Sequence, residues 1–159
     1  MEKQKTTQHG TLISIKNLGV LLLGPSAAGK SDLALRLTTS PSPFLKEDMQ
    51  AILVADDQVE IFTKHNENNH IKLYGQAPAS LAGLLEVRHL GIKTVSFMEK
   101  SEIHCAIKLK KYNEIERLPE DGLSLELVEG QSIPLFFLDP FEPSALNKLN
   151  LILNEINGS

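Results

Sequence analysis

Residues 24–31 read Gly-Pro-Ser-Ala-Ala-Gly-Lys-Ser, a complete match to the phosphate-binding pattern G-x-x-x-x-G-K-[ST]. The pattern constrains the fold because it functions as the turn between a strand and a helix. Both flanks comply. Gly19-Val-Leu-Leu-Leu23 reads as a buried strand, and Asp32-Leu-Ala-Leu-Arg-Leu37 as the opening of a helix. On average residue usage, the four fixed positions arise by chance in about one in two hundred chains of this length. Glycines let successive backbone N–H groups turn toward phosphate oxygens, and the helix N-terminus adds the positive end of its dipole. Gly24, Pro25, Ser26, Ala27, Ala28, Gly29, Lys30 and Ser31 are therefore the expected ATP-binding residues. Lys30 would reach the β- and γ-phosphates, and the Ser31 hydroxyl would coordinate Mg²⁺. A plain strand–turn–helix would need the glycines but not the Lys-Ser that follows them.

The rest of the composition narrows the class. At 159 residues the chain, 1–159, reads as a single domain with one core. Its hydrophobic content of 42% and charged content of 23% are those of a globular protein. A net charge of −4, with no basic stripe, argues against nucleic acid as the partner. Cys105 is the only cysteine, so a disulfide within the chain is impossible and a reducing compartment is expected. The first ten residues lack the apolar run of a signal peptide, and no stretch has the apolar length of a membrane span. The expectation is a cytoplasmic protein.

Apolar patterning predicts a mixed α/β chain. Strands are predicted at Thr11–Ile15, ending in an Asn17-Leu18-Gly19 turn, and at Ala51–Ala55. Val59–Thr63 and Ile71–Tyr74 predict a hairpin whose tip, 65–70, is polar. His65 and His70 on that tip read as solvated loop residues, since a metal site needs more ligands. Further strands are predicted at Ile92–Phe97, Ile103–Leu109, Leu123–Val128 and Ile133–Leu138. The loop helix is expected to stop near Ser40, before Pro41 and Pro43. A short helical turn is expected at Pro78–Ala82 with Ser80 as its cap. Leu146, Leu149, Leu153 and Ile156 recur at helical spacing, with Gly158 as the closing cap.

The second chemical feature is Asp56-Asp57 at the end of an apolar strand. In phosphate-loop folds a neighbouring strand delivers an acid beside the metal. Adjacent residues at a strand end face opposite ways, so one acid can serve Mg²⁺ while the other faces the incoming group. The plainer reading is a solvated turn that happens to hold two acids.

These residues carry a resemblance. The chain resembles the catalytic domain of the bacterial HPr kinase/phosphorylase family, which phosphorylates a serine of the phosphocarrier protein HPr. The segments are His9-Gly10, the loop 24–31, Leu-Val-Ala-Asp-Asp (53–57) and Leu-Glu-Val-Arg-His-Leu-Gly-Ile (85–92). They match in order, cover residues 9–95 well, and match the remainder loosely. The resemblance implies a phosphate-loop α/β fold of the HPr kinase catalytic-domain type, a mixed sheet with flanking helices. It implies ATP and Mg²⁺ as cofactors, an HPr-like protein as acceptor, and a homo-oligomer, full-length members being hexamers. Asp57 matches the family's catalytic acid/base and Lys30 its catalytic lysine. Ser31 and Glu86 match its Mg²⁺ ligands, which Asp56 joins on the reading above. His9 lines the family's site, although a lone histidine before a strand is more often structural. Arg117, in Glu-Arg-Leu-Pro, matches an active-site arginine across a weakly matched stretch, and a plain surface arginine is the alternative.

The departures also carry expectations. Ala27 stands where the family's loop usually has glycine, and Pro25 where it often has aspartate. His89 stands where glycine follows the arginine of the family's Glu-x-Arg-Gly-x-Gly signature. The family's basic Pro-x-Arg-Pro-Gly-Arg-Asn loop has no counterpart around 132–137, and a chain without the family's separate N-terminal domain is expected. Asp139-Pro-Phe-Glu-Pro-Ser144 looks like the ending of short, single-domain members. The expected activity is a serine-directed protein kinase with weak phosphorolysis. A small-molecule kinase would need a lid, for which Ser40–Asp48 is too short. A nucleotide sensor without catalysis would be expected to lack an acid such as Asp57.

Overall fold

In the computed structural model, which describes residues 4–39 and 50–158, the architecture is set by two fully buried strands, β2 (Thr11–Ile15) and β3 (Leu18–Leu23). Period-2 alternation sends their side chains to two different cores. Ile13, Val20 and Leu22 join one cluster, while Leu12, Leu21 and Leu23 join the other. A strand covered on both faces has no polar face to show, which is why β3 reads as a continuous apolar run; in β2 even the polar Thr11 and Ser14 are buried.

β1 (Lys5–His9), β5 (Gln58–His65), β6 (Ile71–Gln76) and β9 (Lys100–Glu102) form an antiparallel sheet in the order β1-β5-β6-β9. The remaining long strands are β4 (Ala51–Ala55), β10 (Cys105–Leu109), β11 (Ser124–Val128) and β12 (Gln131–Leu138). With β2 and β3 they make a six-stranded mixed sheet, β11-β12-β10-β3-β2-β4. The predicted mixed sheet is present, and the 58–65/71–76 and 124–128/131–138 hairpins match the sequence expectation.

One core lies between the two sheets. The other packs the outer face of the mixed sheet on α1 (Lys30–Thr38) and α2 (Ala145–Asn157), through Leu33, Leu37, Leu149 and Leu153. The approach of the sheets is close enough that a Cβ on Gly19 would meet the Glu102 carbonyl, so only glycine fits there. Among the described residues no helix is long and apolar enough to cross a membrane.

Strand direction positions everything that follows. β3, β10 and β12 are parallel. β4 runs with them, because it and β3 are both antiparallel to β2. Four loops therefore leave one carboxyl edge, the place where open α/β sheets bind ligands. They are the phosphate loop, the Asp56-Asp57 turn, residues 110–123 and residues 139–144.

Several local expectations are corrected. Ser80 lies inside a 3₁₀ turn, Ala79–Leu81, whose N-cap position is Pro78, and its side chain makes no capping bond. Gly158 is the C-cap of α2 as expected, donating its N–H to Asn154 O, and does so with φ −86° rather than a left-handed value. The strand expected at 92–97 is β8 (Gly91–Thr94), hairpinned to β7 (Leu84–Val87); Phe97 instead bridges to Leu53. Ile103 precedes β10 and donates its N–H to Leu73 O. His9 precedes β2 as expected, but it also ends a strand of its own, β1. Ser40, Pro41, Pro43 and the stretch to Asp48 lie outside the described residues, and α1 ends at Thr38.

Candidate active site

The phosphate loop takes the shape its residues require. Gly29 caps α1 with φ 102°, a left-handed value natural to glycine, and accepts the Leu33 N–H at 2.9 Å. A Cβ there would also sit 2.8 Å from Pro140 Cγ. Pro25, Ser26 and Ala27 form the exposed crown. Ala27 has φ 67° and His89 has φ 73°. Both positions where this chain departs from a family glycine thus hold a conformation that glycine adopts freely and other residues adopt at a cost of about 1–2 kcal/mol. The backbone path is kept and the strain is carried.

Lys30 opens α1 and is only 8% exposed. Its ammonium donates to Gly24 O at 2.6 Å and Pro25 O at 2.9 Å. Burial pulls its pKa below the usual lysine range, and the charges of Asp56 and Asp57 oppose that shift. All three groups therefore share one electrostatic environment.

The two acids separate as their strand-end position demands. Asp56 turns inward and is 6% exposed. Its carboxylate accepts the Thr11 hydroxyl at 2.8 Å, the Ser31 hydroxyl at 2.9 and 3.1 Å, and the Glu86 backbone N–H at 3.2 Å. The register explains Thr11: β2 pairs with β4 at Leu12–Ala55, so the next residues outward meet. Asp57 turns outward, its side chain 64% exposed, with Oδ1 3.0 Å from His9 Nε2. Here the β1–β5 register places His9 opposite Gln58, and Gly10 donates its N–H to Asp57 O at 3.0 Å.

Asp57 also carries the turn between the two sheets. Gln58 N–H bonds Asp56 O at 2.8 Å across a single residue, and that residue, Asp57, has φ 70°. This is the strained, positive-φ form of the γ-turn. Strain of this kind concentrates at functional sites.

The set Lys30, Ser31, Asp56, Asp57 and His9 is thus assembled around one loop, with Glu86 attached through its backbone. Arg117 is not brought in. It is exposed on the loop after β10 and makes no hydrogen bond or ion pair among the described residues. Thr11 was missed, because a threonine in an apolar strand reads as an ordinary strand former.

The donor set suits Mg²⁺. Ser31 and Asp56 offer hard oxygens, and this ion is typically held by one or two carboxylates plus substrate phosphates rather than a full protein cage. Among the described residues no three His, Cys, Asp or Glu side chains cluster as a self-sufficient metal site. His65 and His70 are exposed at the hairpin tip, where His65 Nδ1 lies 3.2 Å from Asn69 Oδ1.

A family model, the HPr serine kinase C-terminal domain, matches residues 2–136. The chain belongs to this family. The HPr kinase/phosphorylase 1 of Oceanobacillus iheyensis is 34% identical over 137 residues, covering 82% of this chain and 40% of the relative. The HPr kinase/phosphorylase of Streptococcus pneumoniae is 33% identical over 141 residues, covering 82% and 41%. The chain spans about two fifths of the length of these curated relatives. Among solved structures, the HPr(Ser) kinase/phosphatase from Coxiella burnetii superposes with a TM-score of 0.70 at 26% identity. That match covers 94% of this chain and 90% of the other, so the HPr kinase catalytic fold extends over nearly all of the sequence.

Proposed function

We propose that this chain is a kinase that transfers the γ-phosphoryl group of ATP to a seryl hydroxyl of an HPr-like phosphocarrier protein. The observation that carries the reading is the division between the two acids. Asp56 is buried against Ser31, where a metal-side carboxylate belongs, and Asp57 is exposed against His9, where a protein acceptor can reach it.

The loop amides of 24–31 would bind the phosphates. Lys30 would exchange two neutral carbonyls for anionic oxygens, a stronger, charge-assisted pairing. Ser31, Asp56 and Glu86 would hold Mg²⁺, which when bound neutralises charge on the β- and γ-phosphate oxygens. Asp57 would take the proton from the seryl oxygen as that oxygen bonds to the γ-phosphorus and the bond to the ADP oxygen breaks. His9 orients the Asp57 carboxylate. Arg117 is assigned to charge on the transferring group, a role supported by its place on a loop at the carboxyl edge. Phosphorolysis is weak in this reading, because residues 132–138 carry no Arg or Lys and belong to β12 rather than to a basic loop. A cytoplasmic homo-oligomer completes the proposal, on family grounds.

The test incubates the protein with ATP, Mg²⁺ and purified HPr and looks for phosphoserine by mass spectrometry. ATP-dependent phosphoserine is expected. Its absence from a protein that binds ATP would overturn the reading.

A further inference from the structure

Two of the most exposed aromatic residues lie on the loops that leave the carboxyl edge after β10 and β12. Phe141 is 65% exposed and Tyr112 is 69% exposed. The Phe141 ring rests against the last glycine of the loop, its Cζ 3.0 Å from where a Gly29 Cβ would be. Tyr112 lies three residues beyond Leu109, whose carbonyl would be 3.2 Å from a Cβ on Gly24. Phe141 therefore lies against the loop from the end of β12, and Tyr112 sits on the neighbouring loop after β10, its backbone N–H bonded to Asp139.

Their backbones are held in place with unusual care for surface residues. One carboxylate, Asp139, accepts the Tyr112 N–H at 2.9 Å through Oδ2 and the Phe141 N–H at 2.9 Å through Oδ1. Lys110 N–H bonds Leu138 O at 3.0 Å, joining the two loops at their roots. From the helix side, Arg36 Nη2 donates to Pro140 O at 2.6 Å, and Arg36 is itself paired with Asp32 at 3.2 Å. The result is a clamped loop pair attached to α1. Among the described residues, neither ring takes part in an aromatic or cation–π contact, so their faces are not covered by one another.

We propose that Phe141 and Tyr112 form the nucleobase subsite of this chain, a stacking platform for the purine whose phosphates lie on residues 24–31. The inference rests on the kinase reading above and extends it from the phosphates to the base. A neutral, flat, partly apolar ring needs a flat apolar surface, and a charged surface would serve it poorly. Base–aromatic stacking also supplies affinity without a hydrogen-bond code. The platform lies at the carboxyl edge of parallel strands, beside the helix that binds the phosphates, where a single nucleotide spans both.

The experiment compares ATP with inorganic tripolyphosphate, each with Mg²⁺, by calorimetry. In Phe141→Ala and Phe141→Leu, ATP affinity should fall about ten-fold or more, while tripolyphosphate affinity stays within about two-fold of wild type. The leucine variant keeps apolar packing against Gly29 and lacks the aromatic face. Phe141→Trp should restore ATP binding, and Tyr112→Ala should act in the same sense as Phe141→Ala. Equal losses for ATP and tripolyphosphate would overturn the proposal, since Phe141 would then be shaping the loop. Unchanged ATP affinity would overturn it as well, leaving the two rings as a surface for another macromolecule. A wild type that binds neither ligand would instead overturn the kinase reading on which the proposal rests.

Discussion

Asp56 and Asp57 are neighbours with the same side chain, and the structure predicts that the same change is costly for stability at one position and nearly neutral at the other. Asp56→Asn keeps one carbonyl oxygen, which can still accept the Thr11 and Ser31 hydroxyls now at 2.8 and 2.9 Å. The new amide group then faces the Glu86 N–H, donor against donor, where a carboxylate oxygen now accepts at 3.2 Å. A hydrogen bond to a charged group contributes about 1.5–3 kcal/mol, and a buried donor left without a partner costs a similar amount. The Glu86 bond and the second, 3.1 Å contact of Ser31 are lost and the two bonds to the other oxygen are weakened, so the expected destabilisation is about 2–3 kcal/mol. For a domain of this size that lowers the melting temperature by roughly 5–10 °C. Asp57→Asn loses only a solvent-exposed contact with His9. Asparagine accepts positive φ as readily as aspartate, so the 70° backbone adds no new strain. The expected change is under about 0.5 kcal/mol. Thermal unfolding followed by circular dichroism, without nucleotide, measures both. An Asp56→Asn protein that melts within 2 °C of wild type (~1 kcal/mol or less), or an Asp57→Asn protein that falls as far as Asp56→Asn, would refute the argument.

Three further outcomes follow from the same geometry. Ala27→Gly and His89→Gly each relieve a positive φ and should raise stability by about 0.5–1 kcal/mol after glycine's entropy cost, read as a higher urea midpoint. Cys105 is fully buried, and burial pushes its thiol from 9.0 up to about 12. Above pH 9 the unfolded chain releases this proton while the folded chain keeps it. Stability should then fall with rising pH, approaching about 1.4 kcal/mol per pH unit from this group, and the thiol should resist Ellman's reagent until the protein unfolds. Lys30→Ala should remain folded and lose ATP binding, whereas Glu86→Gln should bind ATP but require more Mg²⁺, both checked by calorimetry across a Mg²⁺ series.

The parts of this fold legible in the sequence are those in which a local pattern and a tertiary role coincide. β3 is an apolar run because both of its faces are buried, β4 is apolar with only Ile52 exposed, and the phosphate loop carries its own strand and helix. β1 and β9 were not legible. Lys5–His9 and Lys100–Glu102 have few apolar residues to pattern, and they are strands only because β5 and β6 offer edges to pair with. The division between Asp56 and Asp57 was anticipated from strand alternation, but the partners were not, since Thr11 and His9 arrive by cross-strand register. Asp139 looked like part of a terminal motif, and its two amide contacts depend on loops that meet only in three dimensions. Arg117 is the converse case, a residue singled out by a sequence match that makes no side-chain hydrogen bond or ion pair among the described residues.

The central claim is that Asp57 takes the proton of the acceptor serine while Lys30, Ser31 and Asp56 serve the nucleotide. It is tested most directly by the single-turnover rate of γ-phosphoryl transfer from ATP to HPr in Asp57→Asn, measured beside its ATP affinity. The prediction is a transfer rate at least about a hundred-fold below wild type, the usual scale of general-base contributions, with ATP affinity unchanged. A wild-type transfer rate in Asp57→Asn, with the protein folded and ATP bound, would contradict it.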